Sequence, residues 1–110
     1  MEKRKHYRVK TTIFLLDHDK YLDEPGRARI TNIGPKGAFV ETDRELPVGT
    51  RVTLAFRLPG RLRRYKVPAI VRWIPGGEKK GFGVEFTKMG WLARRELSKW
   101  VLKKYMEGME

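Results

Sequence analysis

Cysteine is absent from the 110-residue chain, which removes disulfides, thiolate metal ligands and thiol nucleophiles together. No stretch approaches the roughly 18 apolar residues that a spanning helix needs. The basic start, Met1-Glu2-Lys3-Arg4-Lys5-His6, is followed by no apolar segment, so a cleaved secretory signal is not expected and the cytoplasm is the default location. Histidine is scarce: His6 and His18 stand apart, with no second ligand at metal spacing and no nucleophile partner. Acidic residues number 13 against 25 Lys plus Arg, and no paired carboxylates, nucleophile elbow or metal cluster can be assembled from them. The expectation is one small domain without catalytic residues, bound metal or resident cofactor, and without membrane insertion.

What the chain has in excess is positive charge, a net +12 that attracts polyanions. The cations fall in three groups: Lys3, Arg4, Lys5, Arg8 and Lys10; then Arg57, Arg61, Arg63, Arg64 and Lys66; then a C-terminal set. Three separate patches favour a distributed basic surface over a nucleic-acid track. Nucleic-acid-binding barrels also present a stacked aromatic platform, whereas Phe56, Phe82 and Phe86 fall on apolar strand faces. A basic nucleic-acid-binding barrel is therefore only the lesser alternative.

The hydrophobic pattern has period two for most of the chain. Thr11 to Leu16 is bulky and β-branched and runs into the polar Asp17-His18-Asp19-Lys20. Arg27 to Ile33 alternates after the breaker Asp23-Glu24-Pro25-Gly26, and Ala38 to Thr42 follows a bend at Asn32 to Gly37. In Arg51 to Leu58 the residues Val52, Leu54, Phe56 and Leu58 share one face. Val67, Ala69, Val71 and Trp73 repeat the alternation, with Pro68 tolerable only near an edge or a bulge. Gly81 to Phe86 closes the series, its glycines suggesting a bend or close backbone contact. From Trp91 to Tyr105 the period lengthens: Ala93, Leu97, Trp100, Val101 and Tyr105 form a helical stripe, with Trp91 also read as structural. The predicted fold is all-β with one C-terminal helix, a small six-stranded antiparallel β-barrel. A flexible basic segment occupies 1–10, the barrel 11–88 and an amphipathic helix packed on it 89–106.

Two motifs bracket the first strands. Arg4-Lys5-His6-Tyr7-Arg8 places two arginines three residues apart just before the barrel, and Asn32-Ile33-Gly34-Pro35-Lys36-Gly37 is a polar, glycine-punctuated connection between apolar strands. Arginine's planar fork pairs with phosphate oxygens or with the O6 and N7 edge of guanine. In order and separation these motifs resemble the RxxxR and (D/N)xSxxG motifs of PilZ domains, bacterial modules that bind the second messenger cyclic di-GMP. The resemblance covers 4–106 and implies a split barrel with a terminal helix. Arg4 and Arg8 match the motif arginines, Asn32 the D/N position and Gly37 the final glycine, while Gly34 stands where the family usually has serine.

Each residue also has a plainer reading. Asn32 could accept from guanine N1 and N2 or form an Asx turn. Gly37 fits a positive φ, a close approach of backbone to ligand, or a plain tight turn. Gly34 removes a hydroxyl, yet its N–H could join those of Lys36 and Gly37 in an anion nest. Lys36 adds a cation at the same place, with a solvated loop lysine as its plainer reading. Trp73 reads first as core, with stacking on a guanine base as the alternative. The resemblance implies a cyclic di-GMP receptor that alters its N-terminal segment on binding and so regulates a partner protein. A degenerate PilZ-like adaptor that does not bind the dinucleotide is the competing reading.

Overall fold

The structure, a computed structural model, describes residues 8–16 and 28–108. Arg4, His6, His18 and the breakers at 17–20 and 23–26 lie outside the described residues, as does most of the basic N-terminal segment.

Among the described residues, six strands and one helix follow in the order β1 (Val9–Phe14), β2 (Arg29–Ile33), β3 (Gly37–Glu41), β4 (Arg51–Arg57), β5 (Arg64–Trp73), β6 (Phe82–Phe86) and α1 (Trp91–Glu107). The strands form a single antiparallel sheet in the order β1-β2-β3-β6-β5-β4. The sheet curls until its edges β1 and β4 approach, and just beyond β1 the Leu16 N–H donates to the Ala55 carbonyl at 2.8 Å. A split barrel results. β1 begins at Val9 rather than Thr11, because Val9 pairs with Ile33 and is buried.

Alternation carries the core. Val52, Leu54, Phe56 and Leu58 are all buried, as are Val67, Ala69, Val71, Phe82, Val84 and Phe86. Pro68 lies inside β5, where its carbonyl accepts from the Thr87 N–H at 2.9 Å. In an antiparallel strand a residue's N–H and C=O point to the same side. The N–H that Pro68 lacks would thus face Thr87, just past the end of β6 at Phe86, where the ladder between the two strands is already finishing.

α1 covers the core with Leu97, Trp100 and Val101. Tyr105, placed by periodicity on that stripe, is exposed, and so is Trp91, because the covered contact is shorter than the helix. The β4–β5 hairpin anchors α1. The Trp100 indole N–H donates to the Pro59 carbonyl at 3.1 Å, and Glu96 accepts from Arg63 at 2.8 Å and from the Tyr65 hydroxyl at 2.9 Å. Burial, the bond to Glu96 and the Glu96 charge raise the Tyr65 pKa above its ordinary value. No helix among the described residues is long and apolar enough to cross a membrane.

Candidate ligand-binding site

The local events that build the site are two β-bulges, neither visible as a periodicity. In β2, Ile30 pairs with Val40 but Asn32 pairs with Phe39, so the chain gains a residue at Thr31. In β5, Val71 pairs with Val84 but Trp73 pairs with Gly83, which puts the extra residue at Arg72. A bulge reverses the facing of every side chain beyond it. Without the second bulge Trp73 would continue the inward row of Val67, Ala69 and Val71. With it the indole turns outward and is 55% exposed, so the core reading of Trp73 is overturned.

Outside the barrel, Phe39 forms the floor. It belongs to β3 but faces away from Ala38 and Val40, and it is only 4% exposed. Trp73 meets it edge-on, with ring centroids 5.8 Å apart and planes at 67°, and the Lys79 ammonium sits 4.5 Å from its ring centre. Gly83 permits this layering: a Cβ there would stand 3.1 Å from the Trp73 ring. An aromatic ledge under a cation is a surface on which a planar base can stack.

Around the ledge lies an open groove of about 600 Å³, a size that accepts a nucleotide-scale ligand. Arg8, Asn32, Lys36, Arg72, Trp73 and Lys79 line it, with Glu85 as the sole acid among the lining residues. Glu85 is held by the Arg72 guanidinium at 2.8 Å in an exposed pair, a contact of the kind that contributes little to stability. The cations outnumber the acid, so the groove favours an anion.

Asn32 sits in β2 opposite Lys10 and Phe39, not in the turn. The Asx-turn reading is set aside, since its Oδ1 is buried and has no hydrogen-bond partner. A buried acceptor without a donor costs about 1–3 kcal/mol, which makes it the polar atom in the groove with most to gain from a ligand.

The connection that follows behaves differently from an anion nest. The Gly34 N–H donates to the Gly37 carbonyl at 2.8 Å across Pro35-Lys36, closing a tight hairpin, so it is not free for an anion. Neither Gly34 nor Gly37 has positive φ. Gly37 is required for a different reason, because a Cβ would overlap the Val84 carbonyl oxygen of β6. The close approach at Gly37 is to a neighbouring strand, not to a ligand as its position in the motif suggested. Neither glycine lines the groove, whereas Arg8, Asn32 and Trp73 are brought together there. Sequence reasoning passed over Arg72, Lys79 and Phe39 and gave Lys36 first as a solvated loop residue, with a cation at the site as its alternative. The signal that could have found Arg72 and Lys79 was their position on either side of the Pro75-Gly76-Gly77 turn, next to a tryptophan.

Comparison with known proteins agrees with this architecture. No curated protein matches the sequence. Among solved structures, the Bacillus subtilis inhibitor of motility MotI/DgrA superposes with a TM-score of 0.77 at 19% identity, over 97% of this chain and 53% of that one. The chain thus spans about half the length of that neighbour, and the likeness is one of fold. The sequence profile of the PilZ domain matches residues 2–103. With that match covering nearly the whole barrel and helix, the chain belongs to the PilZ domain family, a family of cyclic di-GMP receptor domains.

Proposed function

We propose that the chain binds cyclic di-GMP in the groove beside Trp73 and that binding draws the basic segment ahead of β1 onto the barrel, changing the surface offered to a regulated partner protein. The observation that carries this reading is the unpartnered buried Oδ1 of Asn32 in a cationic groove floored by aromatic rings. Guanine supplies the missing donors through N1 and N2. Its face suits the Trp73 ledge, and its O6 and N7 edge and the phosphates suit the forks of Arg8 and Arg4. Docking of the arginine segment on the ligand would bias the protein toward one bound surface and so alter the interface offered to a partner. The fold neighbour is an inhibitor of motility, and by analogy the partner here is a protein whose action is turned down or up by contact.

The test is calorimetric titration with cyclic di-GMP, with Arg8→Ala alongside. Submicromolar to tens-of-micromolar binding, lost in Arg8→Ala, supports the proposal; no heat at high protein concentration overturns it. A second reading, the adaptor that no longer takes the dinucleotide, is favoured by one observation, glycine at position 34 with its N–H committed to the hairpin. Partner capture that is indifferent to the dinucleotide would select the adaptor.

A further inference from the structure

We propose that the outer face of α1 is a docking surface for an anionic lipid bilayer, on which the domain lies without spanning it. At about 100° per residue, Trp91, Arg95, Leu102 and Met106 fall within about 60° of one another, and Leu92 and Lys99 flank them. This face is opposite the buried stripe of Leu97, Trp100 and Val101. Its apolar members are uncovered: Trp91 is 74% exposed, Met106 59%, Leu92 47% and Leu102 39%. Both acids of the helix lie on its flank and are paired, Glu96 with Arg63 at 2.8 Å and Glu107 with Lys104 at 3.6 Å. What remains outward is apolar and cationic, with Arg95 and Lys99 interleaved among Trp91, Leu92, Leu102 and Met106, a mixture that suits the headgroup level of an anionic bilayer rather than its acyl interior.

A second cationic and apolar element lies on the flank of α1. Trp100 and Glu96 hold the β4–β5 hairpin against α1, and its tip carries Leu62, 94% exposed between Arg61 and Arg63. Juxtaposed basic residues gain about 1 kcal/mol each near an anionic leaflet, and an exposed leucine among them has acyl chain to enter.

Two other occupants fit less well. A second copy would bring Arg95, Lys99 and Lys103 against their own equivalents on a protein already at +12, which like charge opposes. A protein groove reads a helix through apolar anchors on consecutive turns. Here the anchors stand at the two ends of a helix roughly 25 Å long, and the middle turns carry Arg95, Ser98 and Lys99. A flat anionic surface accepts such spacing; a groove leaves its centre desolvating charge.

The inference does not rest on dinucleotide binding and is measured without that ligand. The protein is sedimented with vesicles of phosphatidylcholine alone and of phosphatidylcholine containing about one-third phosphatidylglycerol. Binding to the second and not the first is expected, with Leu102→Glu and Trp91→Glu each lowering the partition about tenfold. Val48→Glu, an equal charge change at an exposed residue of the β3–β4 connection, is expected to leave it within about twofold. Circular dichroism verifies that these exposed-site variants fold. Absence of binding to the anionic vesicles overturns the proposal and leaves an acidic protein as the occupant. An equal loss in Val48→Glu also overturns it, by reducing the effect to net charge. A dimer in sedimentation velocity that Trp91→Glu dissociates overturns it in favour of a second copy.

Discussion

Replacing Asn32 by alanine should move stability and ligand binding in opposite directions. In the free protein the Asn32 Oδ1 is buried without a donor, so removing it relieves about 1–3 kcal/mol of desolvation cost. Truncation also removes packing from a side chain that is only half-buried, an offset of about 1 kcal/mol. The net effect on the free protein lies between zero and about 2 kcal/mol of added stability. For a domain of this size that means a Tm between unchanged and roughly 10 °C higher. The complex loses the hydrogen bond from the guanine edge, about 1–3 kcal/mol, which is roughly five- to 150-fold in Kd. Thermal melts with and without cyclic di-GMP, together with calorimetry, read both quantities from the same two proteins. A Tm lowered by several degrees with affinity unchanged would refute the reasoning, since Asn32 would then be a structural residue whose amide is satisfied by the fold.

Trp73→Ala should weaken dinucleotide binding about five- to 150-fold through lost stacking, with a small change in Tm because the indole is largely outside the core; calorimetry and melts separate the two. Gly37→Ala should destabilise by about 1–3 kcal/mol, because the new methyl meets a backbone carbonyl of β6 that cannot rotate away; urea unfolding measures it. Tyr65 has a folded pKa above its unfolded one, so the folded state holds the hydroxyl proton longer. Its contribution is full below about pH 10, the unfolded value, and is lost as pH rises through the folded value. Wild type should therefore lose Tm more steeply than Tyr65→Phe above about pH 10, and parallel curves would remove Tyr65 as the cause.

Most of the fold is legible in the chain because its signals are local. Alternation at Val52, Leu54, Phe56 and Leu58, and at Val67, Ala69 and Val71, matches the buried rows. The change of period at Trp91 coincides with the start of α1. The same logic failed at Trp73 and Trp91 for two distinct reasons. Trp73 obeys the alternation in sequence, but the bulge at Arg72 reverses its side, and a bulge is decided by the register of the partner strand. Trp91 lies on a helix whose covered length depends on how much barrel lies beneath it.

Periodicity and turn chemistry therefore determined six antiparallel strands and a terminal helix, since those depend on neighbours two to four residues apart, while the family came from the resemblance of two short motifs to known ones. Tertiary structure alone decided which of the motif residues share a groove. It brought Arg8, Asn32 and Trp73 together, added Arg72 and Lys79 across a turn, and turned Gly34 and Gly37 into parts of a tight hairpin packed on β6. The physical reason is that strand register and backbone approach are long-range quantities, set by cross-strand pairing between residues that the sequence keeps far apart.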